Sequence, residues 1–231
     1  MAAIEGWEVW AALAAFLAVY LLVSRHLSQK RAREFEQAAT LMGFSYQRYD
    51  IPVEQAEEAR FHLFSQGHGK KFLNVARGSS PAGETALFDY EYTIGSGKRS
   101  RTHFQTVAQF RWPGASLPGF GLAPEHWWHK VGSVFGYQDI DFDSNPEFSK
   151  RFLLRGADEP GIRQFFTPSV ISFFESLDPS KAWIWEGAGD RLLIYTLDGK
   201  VKPANLPTFL EETASAASGL RTQAPVRRMG F

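Results

Sequence analysis

Residues 85–111 read TALFDYEYTIGSGKRSRTHFQTVAQFR, and this stretch decides the fold. In its first half Ala86, Phe88, Tyr90 and Tyr92 alternate with Leu87, Asp89 and Glu91. In its second half Thr102, Phe104, Thr106, Ala108 and Phe110 alternate with Arg101, His103, Gln105 and Gln109. Side chains of an extended chain point to opposite faces in turn, so this period of two predicts strands over Thr85–Thr93 and Arg101–Arg111. The Gly-rich, basic segment GSGKRS between them reads as the tip of a hairpin. If the aromatic faces of the two strands coincide, paired residue numbers must have an even sum. That expectation gives a three-residue turn, Gly97–Arg99, with Tyr92 opposite Phe104 and Tyr90 opposite Thr106.

Working outward, further strands are expected over Phe72–Ala76, Phe148–Arg155, Ala182–Glu186 and Arg191–Leu197, the last two pairing across GAGD. FSQGHGKK reads as a Gly-rich loop before the first of them. WPGASLPGFGLAPEHWW, from Trp112 to Trp128, reads as a long loop whose aromatics could form an interface. Asp50 with Pro52, Asp158 with Pro160, and Thr167 with Pro168 each pair a capping side chain with a proline in the first turn, the usual opening of a helix. A last helix starts at Asn205–Pro207 and turns Leu206, Phe209, Leu210, Ala217 and Leu220 inward. Strands in runs, not strictly alternating with helices, predict an α+β domain: a mainly antiparallel sheet packed with helices. The chain divides into an N-terminal segment over 1–24 with a transmembrane helix at about 7–23, a basic juxtamembrane helix over 25–45 ended by Gly43, the α+β domain over 46–220, and a mobile basic tail over 221–231.

Val9–Val23 is VWAALAAFLAVYLLV, without charge, Gly or Pro. Extended back to Trp7, it reaches about 26 Å as a helix, close to the hydrocarbon thickness of a bilayer. Trp7 and Trp10 at one end and Tyr20 near the other suit the two interfaces. No Lys or Arg precedes the span, which argues against a cleaved leader. Arg25, Lys30, Arg31 and Arg33 follow it, so the N-terminus is expected outside and the domain in the cytoplasm. These four form a membrane-proximal basic cluster facing the lipid headgroups.

Lys plus Arg and Asp plus Glu both number 25, so no net charge draws the chain to nucleic acid, and none is expected as partner. With no cysteine there is no thiolate metal site, disulfide or cysteine nucleophile. GSGKRS fails as a phosphate loop, because Tyr92 stands where its first Gly belongs and Arg99 where Ser or Thr belongs. Asp139, Asp141 and Asp143 open like a calcium loop, but Ser144 replaces the turn Gly and Lys150 the closing Glu. His126 and His129 lack a third ligand. No metal or cofactor is expected.

FLNVARG (72–78), the hairpin ALFDYEYTIGSGKRSRTHFQTVAQF, LPGFGLAPE (117–125) and FSKRFLLRGADEPGIRQFF (148–166) together resemble a family of uncharacterised bacterial proteins, each with one N-terminal membrane helix before this domain. The resemblance implies a bacterial cytoplasmic-membrane setting and brings no activity or catalytic residue. Two functions stay open. One is a cytoplasm-facing binding or scaffolding domain, held to the lipid bilayer by its helix and meeting a protein partner there. The other is a membrane-tethered enzyme, such as a hydrolase, using His103, His126, His129 or the Asp139–Asp143 carboxylates. A deep pocket gathering those groups would favour the second.

Overall fold

The apolar segment and the basic segment after it form one unbroken helix, α1 (Gly6–Leu41), in the computed structural model, which describes residues 6–50, 60–125 and 139–224. Its 36 residues extend about 54 Å. Through Ser28 its described side chains are exposed on every side; from there Ala32, Phe35, Ala38 and Ala39 are buried along one stripe. Gly43, at φ +73°, ends it. Phe44 N–H donates to Ala39 O at 2.8 Å and Gly43 N–H to Thr40 O at 3.0 Å, which satisfies the last carbonyls of the helix.

Eight strands then build a single antiparallel sheet: β1 (Ser45–Tyr49), β2 (His68–Ser80), β3 (Gly83–Ile94), β4 (Arg101–Arg111), β5 (Leu117–Pro124), β6 (Phe152–Arg155), β7 (Ile184–Gly189) and β8 (Arg191–Tyr195). Their order is β1-β2-β3-β4-β8-β7-β5-β6. The short helix α2 (His62–Ser65) precedes β2, and α3 (Pro146–Arg151) leads into β6. The pair α4 (Glu159–Phe165) and α5 (Pro168–Ser176) follows β6, and α6 (Leu206–Gln223) follows β8. Asp158 caps α4 by accepting from Gly161 N–H at 3.1 Å, and Thr167 caps α5 by accepting from Val170 N–H at 3.4 Å, as the capping pattern predicts. The fold class is α+β, with a long apolar helix ahead of the sheet.

One face of the sheet packs Leu87, Ala108, Phe110, Trp185 and Ile194 under α1, α4, α5 and α6. The other packs Phe88, Tyr90, Val107, Leu193 and Tyr195 against Phe61, Leu63 and Phe64 around α2. Both faces are therefore dry, and Thr85 to Tyr90 of β3 are buried without a break. This overturns the expected hairpin register. Tyr90 pairs with Gln105 and Tyr92 with His103, an odd sum, and the loop is the six residues Gly95 to Ser100, with a 3₁₀ turn at Gly97–Arg99. Matching aromatic faces is favoured only where one face meets water. Here Leu87 and Asp89 lie on the α1 side together with Thr106, Ala108 and Phe110.

Other boundaries differ for similar reasons. Leu117–Pro124, expected as loop, is β5, central between β7 and β6. Its prolines fall at the second position and the end, which a strand accepts. Trp112 and Phe120 are buried in the core, not displayed as an interface, and Trp112 Nε1–H donates to Ala82 O at 2.8 Å. The strand expected over 148–155 begins as α3 and becomes β6 only at Phe152. His68 to Lys71 of the expected loop belong to β2. Most of the helix expected after Pro52, with Trp127, Trp128, His126 and His129, lies outside the described residues, as do 225–231 of the tail; Arg221 to Gln223 belong to α6.

Candidate interaction site where the apolar helix meets the sheet

Trp7, Trp10 and Tyr20 are exposed on α1, and Arg25, Lys30 and Arg33 are exposed further along it. Lys30 lies 3.8 Å from Glu34, one turn on. Arg31 departs from this group. It turns inward, and its Nε and Nη2 each donate at 2.7 Å to the carboxylate of Asp89, which is wholly buried. The same Nη2 donates to Val201 O at 3.0 Å. Arg31 is thus a structural tie of the domain, whereas Arg25, Lys30 and Arg33 are exposed on the helix surface.

Asp89 comes to this place through the odd-numbered face of β3, and neighbouring strands complete its shell. Thr106 Oγ1–H of β4 donates to it at 2.8 Å and Asn74 Nδ2–H of β2 at 2.9 Å. Asn74 holds a left-handed backbone, φ +53°, at the register shift between Leu73 and Ala76, which aims its amide inward. Tyr46 O–H of β1 donates to Asn74 Oδ1 at 3.0 Å, and Val201 N–H to Thr106 Oγ1 at 3.0 Å. Four donors, two of them from the bidentate Arg31, converge on this buried carboxylate and satisfy both of its oxygens. The network binds α1 to four elements at once, and no periodicity could have revealed it.

On the opposite sheet face Glu186 of β7 is fully buried beside the short helix α2. Its carboxyl accepts from Tyr195 O–H at 2.6 Å and from Leu63 N–H at 3.1 Å. Burial pushes it up to about 7, against the pull of these hydrogen bonds. Burial also pushes the Tyr195 and Tyr92 hydroxyls up and lowers His62 to about 4. His103 stacks on Tyr92 and its Nδ1 lies 2.6 Å from Asp198 Oδ1.

Among the described residues, the groups that would serve an enzyme are not gathered. Asp139 accepts from Leu154 N–H on β6, four strands away from His103 on β4, roughly 19 Å at ~4.8 Å per strand. The Asp141 carbonyl accepts from Arg163 at 2.8 Å, and Asp143 faces solvent. Among the described residues no three of His, Asp and Glu converge as a metal site. A cleft of about 490 Å³ lies between Arg60, Pro118, Asp158 and Gln164, with neither His103 nor the three aspartates in its wall. An apolar groove of about 540 Å³ runs between Met42, Phe44, Pro81 and Leu210, at the far end of α1 from its apolar segment.

These features define the class: an antiparallel α+β domain packed on the end of a helix long and apolar enough to cross a membrane, the one such helix among the described residues. No family model and no curated protein matches the chain. Among solved structures, the crystal structure of the mycobacterial trehalose monomycolate transport factor A, TtfA, shares the fold. It has a TM-score of 0.53 at 12% identity, over 84% of this chain and 96% of that one.

Proposed function

We propose that the protein is a single-pass membrane protein of the bacterial cytoplasmic membrane, with its N-terminus outside and its α+β domain held at the cytoplasmic face as a binding or scaffolding module. The observation that carries this reading is α1 itself. It continues without a break from exposed apolar residues into the core, and Arg31 locks it to the sheet through buried Asp89. A module positioned in this way presents fixed surfaces at a fixed height above the bilayer. Arg25, Lys30 and Arg33 support the orientation, since basic residues are retained on the cytoplasmic side. A role without catalysis agrees with the separation of His103 from Asp139, and with a chain of the same fold being a transport factor.

Fusion of a reporter active only in the cytoplasm after Phe231 tests the topology, and activity is expected. A reporter working only on the outer side overturns the orientation. Replacing Arg25, Lys30 and Arg33 by Glu, with Lys residues added before Trp7, is expected to weaken or invert it. Affinity capture of the intact protein from membranes is expected to return a stoichiometric protein partner.

A further inference from the structure

The end of the domain that faces the membrane can be read from α1. Arg31 meets Asp89, the Phe35 ring lies 6.2 Å from that of Tyr46, which sits level with Leu87 across β2, and Phe44 packs on Gly78, which pairs with Thr85. From Arg31 to Phe35 the helix rises about 6 Å, and from Asp89 to Leu87 the strand covers about 6.6 Å. Helix and strand therefore run nearly alongside one another. Continued upward, the eight residues from Arg31 to Val23 rise about 12 Å, while the five from Asp89 to Ile94 rise about 16 Å. The β3–β4 hairpin tip consequently reaches the level at which the apolar span begins.

That tip is built for such a place. Ile94 through Thr102 is exposed without interruption, and Gly95, at φ +79°, lets the chain turn where a Cβ would meet Arg99 O at 2.7 Å. Phe104 is 41% exposed and Ile94 38%, both at the same end. Lys98 and Arg99 crown the tip, and Lys70 and Lys71 stand beside it on β2. The acids there are engaged: Glu91 holds Lys200 at 2.7 Å, and Asp198 holds Arg101 at 2.8 Å. Lys70, Lys71, Lys98 and Arg99 have no ion pair among the described residues; Lys71 lies across from Glu91, whose carboxylate is held by Lys200, so cations outnumber acids among the described residues at this end of the sheet.

We infer that the β3–β4 tip is a second membrane contact, docking on the anionic phospholipid surface of the bilayer that α1 crosses. Lys70, Lys71, Lys98 and Arg99 meet headgroup phosphates, and Ile94 and Phe104 sit at the interface. The inference rests on the anchored reading above and goes beyond it, because it makes the domain a reader of lipid charge and holds α1 upright at two points.

The chain has no cysteine, so Ser96→Cys gives a single site for a fluorophore, and Ser215→Cys on α6, beside the apolar groove, gives a control far from the span. The full chain is reconstituted in vesicles of phosphatidylcholine with phosphatidylglycerol, or of phosphatidylcholine alone, containing a headgroup-nitroxide lipid. Quenching at position 96 is expected in the anionic vesicles, with none at 215. It is expected to weaken in phosphatidylcholine, at about 1 M salt, and with Lys70→Glu, Lys71→Glu, Lys98→Glu and Arg99→Glu combined. Protein that floats with the vesicles but shows no more quenching at 96 than at 215 overturns the contact. Equal quenching in both vesicle types, insensitive to salt, overturns its electrostatic basis. Protein that does not float at all overturns the anchor, a different failure. The lipid and salt comparisons use no charge variant, so they stand even if the reversed protein misfolds.

Discussion

Replacing Arg31 by Met removes the cation beside Asp89 while keeping much of the aliphatic stem. Asp89 is fully buried and the Arg31 side chain only one-fifth exposed, so little water can take the place of the guanidinium. Removing one partner of a buried pair costs about 3–5 kcal/mol. Thr106 and Asn74 still donate to the carboxylate, which puts Arg31→Met near the lower end, about 3 kcal/mol. Asp89→Asn keeps an acceptor and leaves a guanidinium that can lean toward solvent, so about 1–2 kcal/mol is expected. Arg33→Met, on the exposed side of the same turn, stays within about 0.5 kcal/mol of wild type. Urea unfolding of the full chain in lipid nanodiscs, followed through the buried Trp112 and Trp185, measures all three. A double-mutant cycle with Asp89→Leu is expected to return strong coupling. If Arg31→Met is as mild as Arg33→Met, or the cycle is additive, Arg31 is only a flanking charge and the rigid link between helix and domain does not exist.

Two further outcomes follow from the same geometry. Glu186, raised from 4.5 to about 7, keeps a proton in the folded chain that the unfolded chain has lost, so stability falls as pH rises through that window, by about 3 kcal/mol in all. His62, lowered from 6.5 to about 4, acts with the opposite sign, so the two nearly cancel in wild type, and Glu186→Gln is expected to unmask stability that climbs from pH 4 to 6.5; identical pH profiles of the unfolding midpoint for both proteins would refute the assignment. Deleting residues 1–24 is expected to leave a folded domain, because no packing of α1 begins before Ser28, and fractionation should find it released from membranes at about 1 M salt; retention there would reveal an attachment other than α1 and the charged tip.

What the sequence determined by itself is whatever local chemistry dictates. Val9–Val23 can only be an apolar helix of spanning length, because length and hydropathy are properties of the segment. Gly43, Asp158 and Thr167 set helix ends through backbone groups no more than a few residues away. The alternation over 85–111 marked both strands of the hairpin, since side-chain period does not depend on partners. Tertiary structure decided everything that rests on which faces are dry. The register of β3 on β4 followed from helices covering one side of the sheet and α2 the other, which removed the penalty for placing Tyr90 across from Gln105. Leu117–Pro124 became a strand because β7 and β6 flank it and take up its backbone groups, something its own Gly and Pro content argues against. Asp89 and Glu186 look like wet positions between apolar neighbours. Only long-range packing brings Arg31, 58 residues away, to the first and the α2 backbone, more than 120 residues away, to the second. A charge can be buried only by partners, and partners distant in the chain leave no mark on local pattern.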